Sequence, residues 1–160
     1  MKSLVLYYSR TGTTAKVAHA LQAALGAEID VITCPRYQSG WLRYLLAGYD
    51  SVKGQLPAIN VPDIAFGDYD LVILGSPIWT SYPALPLRSF LAKKPQLPER
   101  TALFFTCGGH SPPEKAVDCV NDLLPVPLAT SLAIAQEDVA EGRYIDAVDA
   151  FAAKLSAIQG

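Results

Sequence analysis

The sequence predicts an α/β fold, a three-layer sandwich in which a five-stranded parallel sheet lies between two layers of helices. Short apolar runs and stretches of helical spacing alternate five times along the 160 residues. The runs are nearly continuously apolar, which is typical of strands buried on both faces. Hydrophobic residues make up 51% of the chain and charged residues 18%, which provides for a large core. Strict alternation of strand and helix implies right-handed crossovers and a doubly wound sheet.

The predicted strands and helices follow from residue type and spacing. β-Branched and aromatic residues concentrate in five short runs, which are residues 4–8, 29–33, 71–75, 101–107 and 128–135. Apolar residues three or four positions apart mark the intervening segments as helices, which are residues 13–25, 40–52, 84–93, 113–124 and 142–158. No repeat or linker divides the sequence, so residues 1–160 are predicted to form one domain.

Composition and charge exclude several classes of function. The net charge is −2 at pH 7, so we expect no basic surface that binds nucleic acid or an anionic membrane. The three cysteines form no C-x-x-C pair, which favours free thiols in a reducing compartment. The first apolar run is too short for a signal peptide, and Gly75, Pro77, Pro83 and Pro86 interrupt the longest uncharged stretch. We expect a cytoplasmic protein without a membrane span.

Three loops that follow strands are expected to hold the functional residues. In an open parallel sheet, ligands bind beyond the carboxyl ends of the strands, at the point where the strand order reverses. The loops predicted at that edge comprise residues 9–14, 76–83 and 107–112. The chemistry of these loops therefore decides what the protein binds.

The first loop carries the hydroxyl-rich sequence SRTGTT. Ser9, Thr11, Thr13 and Thr14 bring four hydroxyl groups to one turn, and the free N–H groups of the following helix point to the same spot. Gly12 permits a positive φ or a close approach of the backbone to a ligand. The loop lacks the G-x-x-x-x-G-K-[ST] and G-x-G-x-x-G patterns, which speaks against the usual ATP, GTP and NAD modes. We predict a phosphate site; the alternative is that one hydroxyl, such as that of Thr13, only caps the helix.

The loop resembles the phosphate loop of the flavodoxins. The pattern Ser9-x-Thr11-Gly12-x-Thr14 stands directly after the first strand, and flavodoxins use such a loop to hold the phosphate of FMN with hydroxyls and backbone amides. The resemblance implies a flavodoxin-like fold, non-covalently bound FMN as the cofactor, and residues 9–14 as the phosphate site. Arg10 belongs to this loop, at a variable position of the motif, and is expected to face solvent.

The residues around the end of the third strand extend the resemblance to the flavin ring. The sequence LVILGSPIW, residues 71–79, resembles the region of flavodoxin-like proteins in which an aromatic residue just beyond the strand lies against the flavin. Ser76, Pro77, Ile78 and Trp79 are thereby implied as cofactor-binding residues, with Trp79 stacked on the ring. An indole offers a flat, electron-rich face that disfavours the anionic reduced flavin. The alternative is that Trp79 packs, half-buried, on the helix that follows Ala84.

The residues at the end of the fourth strand complete the resemblance. Thr106, Cys107, Gly108, Gly109 and His110 stand where flavodoxins run a second backbone loop past the ring edge, and paired glycines allow that approach. The best-known flavodoxins carry a tyrosine shortly after this position, which this sequence lacks. We therefore expect the second face of the ring to be open to a substrate. His110 is a candidate to donate a hydrogen bond or proton; the alternative is an exposed loop histidine.

Phosphatase chemistry and metal binding receive no support from the sequence. Low-molecular-weight phosphatases need the pattern C-x5-R, but Pro113 stands six positions after Cys107, so a phosphatase is not expected. His19, Cys34 and Cys119 have no second ligand at metal-binding spacing. No metal site is predicted.

An aromatic-rich segment, residues 37–49, lies between the second and third strands. It holds Tyr37, Trp41, Tyr44 and Tyr49, and a similar stretch appears in short bacterial flavodoxin-like proteins. Tyr37, Trp41 and Tyr44 can share one face of a helix, which ordinarily means packing into the core. The alternatives are that the segment covers the flavin site or forms a homodimer contact.

A flavin implies electron transfer but leaves the reaction open. The first hypothesis is a redox protein that passes one or two electrons through FMN to a partner protein or a small acceptor. The second is an FMN-dependent NAD(P)H:quinone-type oxidoreductase, with His110 or Tyr82 positioning the acceptor. The third is a flavin-free, flavodoxin-like interaction module. A net charge of −2 is a weak field for steering a carrier to basic partners, which speaks mildly against the first hypothesis.

Overall fold

The centre of the fold is a parallel β-sheet, seen in a computed structural model that describes residues 1–38, 40–109 and 112–158. The strands in this part of the chain are β1 Ser3–Tyr8, β2 Glu28–Ile32, β3 Leu71–Trp79, β4 Tyr82–Pro83, β5 Thr101–Cys107 and β6 Thr130–Ala135. All except β4 run parallel, in the order β2-β1-β3-β5-β6, while β4 pairs antiparallel with β3. The order reverses between β1 and β3, as in a flavodoxin-like sheet. The predicted five-stranded parallel sheet is confirmed.

Helices cover both faces of this sheet. They are α1 Thr13–Leu25, α2 Trp41–Lys53, α3 Leu85–Ala92, α4 Glu114–Leu123, α5 Gln136–Ala140 and α6 Ile145–Ala157, with 3-10 turns at Pro35–Tyr37 and Phe66–Asp68. Val17 of α1 and Phe151 of α6 pack in one core, and Leu87 of α3 and Val120 of α4 pack in the other. Within the described residues, no helix combines the length and the apolar character that crossing a bilayer requires.

Strand β1 illustrates why the central strands are apolar at every position. Leu4 and Leu6 point into the core beneath α3 and α4, whereas Val5 and Tyr7 point into the core beneath α1 and α6. Successive side chains of a strand point to opposite faces, so a strand covered on both faces needs an apolar residue at each position. The run of apolar residues in the sequence is the direct consequence.

Gly75 permits β3 to pack closely within the central sheet. A Cβ atom at this position would lie 2.2 Å from Cζ of Phe104 and 2.9 Å from Cβ of Tyr7. No side chain fits there unless the ring of Phe104 or the backbone moves. The glycine is therefore a packing requirement at the point where β3 lies between β1 and β5.

The main departure from the predicted elements follows Gly75. The expectation that residues 76–83 form a loop is wrong for most of them, because β3 continues to Trp79 and a two-residue turn leads into β4. Ser76 and Pro77 stay in register with β5, so strand pairing overrides the breaking effect expected of glycine and proline. Strand β4 and helix α5 are too short to produce a periodic signal. The other elements begin and end within three residues of their predicted bounds.

Candidate functional site

A cavity of about 290 Å³ lies at the carboxyl edge of the sheet, where the order of the strands reverses. Its lining comes from the segments that follow or end β1, β3, β5 and β6. These residues are Ser9, Arg10, Thr11, Thr13, Thr14, Pro77, Ile78, Trp79, Thr106, Gly108 and Gln136. All of them except Gln136 were predicted for the site from the sequence. The carboxyl ends of parallel strands share one edge, which brings these distant segments together.

The loop between β1 and α1 is shaped by its own side chains. Ser9 Oγ accepts hydrogen bonds from the backbone N–H groups of Gly12 and Ala15, at 3.1 and 3.3 Å. Gly12 adopts a φ of 94°, in the left-handed region that favours glycine. Its carbonyl accepts the N–H of Lys16 at 3.1 Å, which begins the helix. Gly12 occupies the N-cap position without a side-chain cap, and the hydroxyl of Ser9 satisfies the N–H of Ala15 in the first turn of α1.

The electrostatics of this loop suit an anion. The N–H groups of Thr13 and Thr14, at the start of α1, have no hydrogen-bond acceptor within the helix. No acidic residue stands in the first turn of α1. Arg10, which was expected to face solvent, is instead half-buried and lines the cavity. The positive end of a helix dipole and the residue Arg10 thus border the same space.

Thr14 and Thr106 join the loop of residues 9–14 to the end of β5. Their hydroxyl oxygens lie 2.7 Å apart in a hydrogen bond, and the two residues are 2% and 0% exposed. Because this pair is buried, one of its hydroxyl groups is committed to the other as donor. Of the other hydroxyl-bearing residues of the loop, Thr11 is exposed, and Ser9 and Thr13 are half-buried. The side chain of Thr14 therefore holds the start of α1 against β5. Its backbone N–H has no acceptor within the helix, so this group suits the phosphate contact predicted for Thr14.

Trp79 stands at the tip of the β3–β4 hairpin. The turn residues Thr80 and Ser81 both have positive φ, 49° and 71°, as the central residues of a type I′ turn must. The half-buried indole meets Tyr8 and Tyr37 edge-on, with ring centroids 5.8 and 5.3 Å away and interplanar angles of 87° and 88°. The indole also packs against the core to which α3 contributes Leu85 and Leu87. The indole is thus held beside the cavity that it lines.

A buried carboxylate holds one of these partners in place. Asp50 of α2 accepts a hydrogen bond from the hydroxyl of Tyr37 at 2.7 Å and from Nε of Arg36 at 2.6 Å. The hydrogen bond from Arg36, followed by that from Tyr37, lowers the pKa of Asp50 below its ordinary value, against the opposing effect of burial. Burial and the neighbouring carboxylate both raise the pKa of Tyr37. The network ties the turn Pro35–Tyr37 to α2.

The aromatic segment of residues 37–49 departs in part from its prediction. Tyr37 lies in a 3-10 turn before α2, so it does not share a helical face with Trp41 and Tyr44, whose side chains lie outside the described part of the structure. Tyr37 does pack in the core, as one of the proposed alternatives states, whereas Tyr49 is 60% exposed. The segment therefore divides into a buried turn and a partly exposed helix.

A second cavity of about 390 Å³ lies between α2 and the β3–β4 hairpin. Its lining residues are Arg10, Leu45, Ala47, Gly48, Tyr49, Ile78, Trp79 and Thr80. Arg10, Ile78 and Trp79 border both cavities. Most of the remaining lining is apolar and comes from α2. This helix therefore adjoins the candidate site through the residues beside Trp79.

Several predicted site residues have other surroundings. Ser76 is buried, its hydroxyl donates to the carbonyl of Pro77 at 2.8 Å, and it accepts the N–H of Ala84 at 3.1 Å. Cys107 donates to the carbonyl of Ile134 at 3.6 Å, and burial raises the pKa of its thiol, which does not suit a nucleophile. Both residues contribute backbone to the strand ends. His110 lies outside the described residues.

The lining of the first cavity includes Gln136 but not Tyr82 or Gly109. The guanidinium carbon of Arg88 lies 5.8 Å from the centroid of the Tyr82 ring. Gly109 follows Gly108 just beyond the lining. Gln136 is the site residue that sequence reasoning missed. Its only signal was its position directly after the fifth predicted strand, because a lone glutamine without glycine or hydroxyl neighbours forms no binding pattern.

Comparison with known proteins finds similarity at the level of structure. No family model matches the sequence, and no curated protein matches it. The fold is similar to that of a flavoprotein from Lactobacillus acidophilus in complex with FMN, at 25% sequence identity and a TM-score of 0.73, over 88% of this chain and 97% of that chain. The apo form of the flavoprotein from the same organism is similar at 24% identity and a TM-score of 0.67, over 86% of this chain and 95% of that chain.

A more distant similarity extends over almost the whole chain. The oxidised flavodoxin 2 from Bacillus cereus shares 16% sequence identity and gives a TM-score of 0.61, with 98% of each chain covered. Similarity at such low identity concerns the fold.

Proposed function

We propose that this chain, which has the flavodoxin-like fold, is a redox protein that binds one FMN non-covalently and transfers electrons through it. One observation carries the proposal: hydroxyl groups, helix amides and an indole from the ends of β1, β3 and β5 line a single cavity. The phosphate of FMN calls for the first two groups and its ring for the third. The similar flavoprotein from Lactobacillus acidophilus is in complex with FMN, which supports the same ligand here.

The loop of residues 9–14 is the proposed phosphate site. Thr11 is exposed and Thr13 is half-buried, and the N–H groups of Thr13 and Thr14 stand at the start of α1. A phosphate monoester accepts hydrogen bonds on three oxygens and gains from the positive end of the helix dipole. Neutral donors can therefore hold it, with Arg10 adding one positive charge at the cavity wall.

The ring is proposed to lie between Trp79 and the backbone of Gly108 and Gly109, next to Pro77 and Ile78. When bound, FMN supplies reversible uptake of electrons and protons. The chain's residues orient the ring, cover part of it and keep water from it. Thr106 supports the phosphate loop through Thr14, and Ser76 and Cys107 contribute backbone. His110 stays a candidate proton donor.

Titration with FMN tests the phosphate site directly. Thr11→Ala removes one exposed hydroxyl, and a lost hydrogen bond to a charged group corresponds to about tenfold weaker binding. Thr33→Ala is the matched control, because Thr33 is an exposed threonine at the end of β2, away from both cavities. The proposal fails if the wild-type protein neither binds FMN nor quenches its fluorescence, which is the behaviour of a flavin-free interaction module. Equal losses in the two variants would refute the assignment of the loop.

An FMN-dependent NAD(P)H:quinone-type oxidoreductase is the second candidate, and the cavity beside α2 favours it. That cavity adjoins the proposed ring site through Trp79, and its walls are largely apolar. A volume of about 390 Å³ is in the range of pockets for small ligands. A net charge of −2 provides little steering toward a protein partner, so a small acceptor is a reasonable counterpart.

Photoreduction and turnover separate the two candidates. A carrier is expected to be reduced in two one-electron steps and to oxidise NADPH negligibly in the presence of a quinone. The enzyme is expected to be reduced in a single two-electron step and to oxidise NADPH steadily under the same conditions. The absorbance spectrum distinguishes these courses because one- and two-electron-reduced flavins absorb differently.

The proposal includes a contact between two copies of the chain through α2. Leu42, Leu45, Tyr49 and Val52 are each more than half exposed, and their spacing places them on one face of the helix. Tyr37 is buried and takes no part in this contact. Sedimentation should give a dimer for the wild-type protein and a monomer for the double variant Leu42→Gln, Val52→Gln. A monomeric wild-type protein would contradict the contact.

We also propose that the protein works in the cytoplasm. Cys34, Cys107 and Cys119 are free thiols, and free thiols persist in a reducing compartment. Fractionation of cells that express the full chain should recover it with cytoplasmic markers. Recovery in an extracytoplasmic fraction would refute this location.

A further inference from the structure

Two buried tyrosines contact the indole of Trp79. Tyr8, at the end of β1, and Tyr37, at the end of the turn Pro35–Tyr37, both meet it edge-on. The two tyrosines are 3% and 1% exposed, so their rings move little unless the core opens. The orientation of the indole therefore depends on how firmly each of these rings is fixed.

The hydroxyl groups of the two tyrosines differ sharply. The hydroxyl of Tyr37 donates to Oδ2 of Asp50 at 2.7 Å, whereas the buried hydroxyl of Tyr8 has no hydrogen-bond partner among the described residues. Asp50 is itself 1% exposed. A hydrogen bond to a buried carboxylate is short and directional. Tyr37 is thus anchored at its far end, and Tyr8 is held by packing alone.

Asp50 is a fixed point because other groups hold it and the turn beside it. Arg36 donates to both carboxylate oxygens, from Nε at 2.6 Å and from Nη2 at 3.3 Å. Arg43 of α2 donates from Nη1 to the carbonyls of Pro35 and Arg36, at 3.0 Å in each case. The turn is therefore attached to α2 at two places. Helix and turn act as one unit that presents the ring of Tyr37 to Trp79.

We propose that Tyr37, held by Asp50, positions the indole of Trp79 and thereby sets the relative affinity of the protein for oxidised and reduced FMN. The inference rests on the proposed function, since it requires the flavin ring against Trp79. An indole held against the ring disfavours the negative charge of the reduced flavin more than one that turns away. Tyr37 and Asp50 are positioning residues: they act on the flavin only through Trp79.

The test compares Tyr37→Phe with Tyr8→Phe as its matched control. Both variants keep a ring against Trp79, but only the first loses a hydrogen bond to a fixed partner. The chain has two tryptophans, so Trp41→Phe is included in every protein, and the indole signal then reports Trp79 alone. Affinities for oxidised FMN and for dithionite-reduced FMN are measured for each protein. Near-ultraviolet circular dichroism of the flavin-free proteins reports the orientation of the indole.

Tyr37→Phe is expected to change the ratio of the two affinities by about threefold or more and to alter the dichroism of Trp79. Tyr8→Phe is expected to leave both unchanged. If the two variants behave alike, Tyr37 is not the positioning residue and the inference is overturned, while the binding of FMN itself stands. If the parent protein binds no FMN, the proposed function and the inference fall together.

Substitutions of Asp50 provide a second test that does not depend on the folding of Tyr37→Phe. Asp50→Asn keeps an oxygen that can accept the hydroxyl of Tyr37, and it should retain the parent's ratio of affinities. Asp50→Ala removes the acceptor and should reproduce the effect of Tyr37→Phe. Thermal melts confirm that each variant is folded before FMN is added. A folded Asp50→Ala variant with the parent's ratio overturns the inference.

Discussion

The two halves of the proposed FMN site are built in different ways. The phosphate half is local, since Ser9 Oγ binds the N–H groups of Gly12 and Ala15 within the same loop. The ring half is assembled from distant parts of the chain, because Trp79 packs on Tyr37 and Tyr37 is held by a carboxylate of α2. Most substitutions in the local half should therefore alter FMN binding more than folding. Substitutions in the distant half should alter both.

The largest effect on stability is expected at Gly75 of β3, in the central sheet that carries both halves of the proposed site. Gly75→Ala would bring a Cβ atom to 2.2 Å from the ring of Phe104, and overpacking of this severity should lower the free energy of unfolding by about 3 kcal/mol. Urea unfolding measures the change. Gly67→Ala is the control, because a Cβ atom there has no neighbour within 4 Å among the described residues. Equal stability of the two variants would contradict the close packing of β3 and β5.

The next largest effect tests how far the local half depends on a distant strand. Thr14→Val removes one hydroxyl of the buried Thr14–Thr106 pair and leaves the other without a partner, which should cost about 2 kcal/mol in unfolding free energy. The double variant Thr14→Val, Thr106→Val removes both hydroxyls and should recover most of that loss. Chemical unfolding of the single and double variants gives the interaction energy. Strictly additive losses would show that the two hydroxyls do not depend on each other.

A smaller effect on the ring half should appear as a dependence of stability on pH. The hydrogen bond from Arg36 lowers the pKa of Asp50 in the folded protein below its ordinary value of 3.8. A lowered pKa contributes stability that is fully present above 3.8 and is lost as the pH falls through the folded-state value. At neutral pH, Asp50→Asn should therefore be less stable than the wild-type protein by about 1.5 kcal/mol.

Acid unfolding provides the decisive comparison for Asp50. The difference in unfolding free energy between the wild-type protein and Asp50→Asn should narrow as the pH is lowered below 3.8, because only the wild-type side chain takes up a proton there. Denaturant titrations at neutral and acid pH measure this difference. A difference that stays constant over the range would mean that the charge of Asp50 does not stabilise the turn beside Trp79.

The smallest effect on stability is expected in the local half, at Gly12. The φ of 94° at this residue is unfavourable for a residue with a side chain, so Gly12→Ala should cost about 1 kcal/mol. A Cβ atom at this position meets nothing within 4 Å among the described residues, and the cost should come from the backbone alone. Thermal melts of this variant measure its loss of stability, and FMN titration measures any change in its affinity for FMN. An unchanged melting temperature would indicate that the loop tolerates a different backbone conformation.

The fold was largely predictable because its signals are local. Each central strand is buried on both faces, so residues 4–8 form an unbroken apolar run in the sequence. A glycine stands at each end of α1 and marks where the helix begins and ends. The extension of β3 to Trp79 was not predictable from local signals. Gly75 and Pro77 are ordinarily strand breakers, and only the pairing with β5 keeps these residues extended.

The candidate site likewise has one part that local sequence signals predict and another part that they do not. Residues 9–14 could be predicted because their hydroxyls and glycine form a pattern within six positions. The link from Asp50 through Tyr37 to Trp79 has no such pattern, because the three residues belong to separate elements and the spacing between them carries no chemical meaning. The position of Arg10 and the presence of Gln136 at the cavity likewise depend on tertiary packing.

A comparison of FMN with riboflavin tests the central claim most directly, because riboflavin lacks only the phosphate. The wild-type protein should bind FMN at least about 100-fold more tightly than riboflavin, as expected for several hydrogen bonds to a charged group. The double variant Thr11→Ala, Thr13→Ala should bind riboflavin as before, and its preference for FMN should fall about tenfold or more. Equal affinity of the wild-type protein for the two flavins, or an undiminished preference in the double variant, would contradict the phosphate site at residues 9–14.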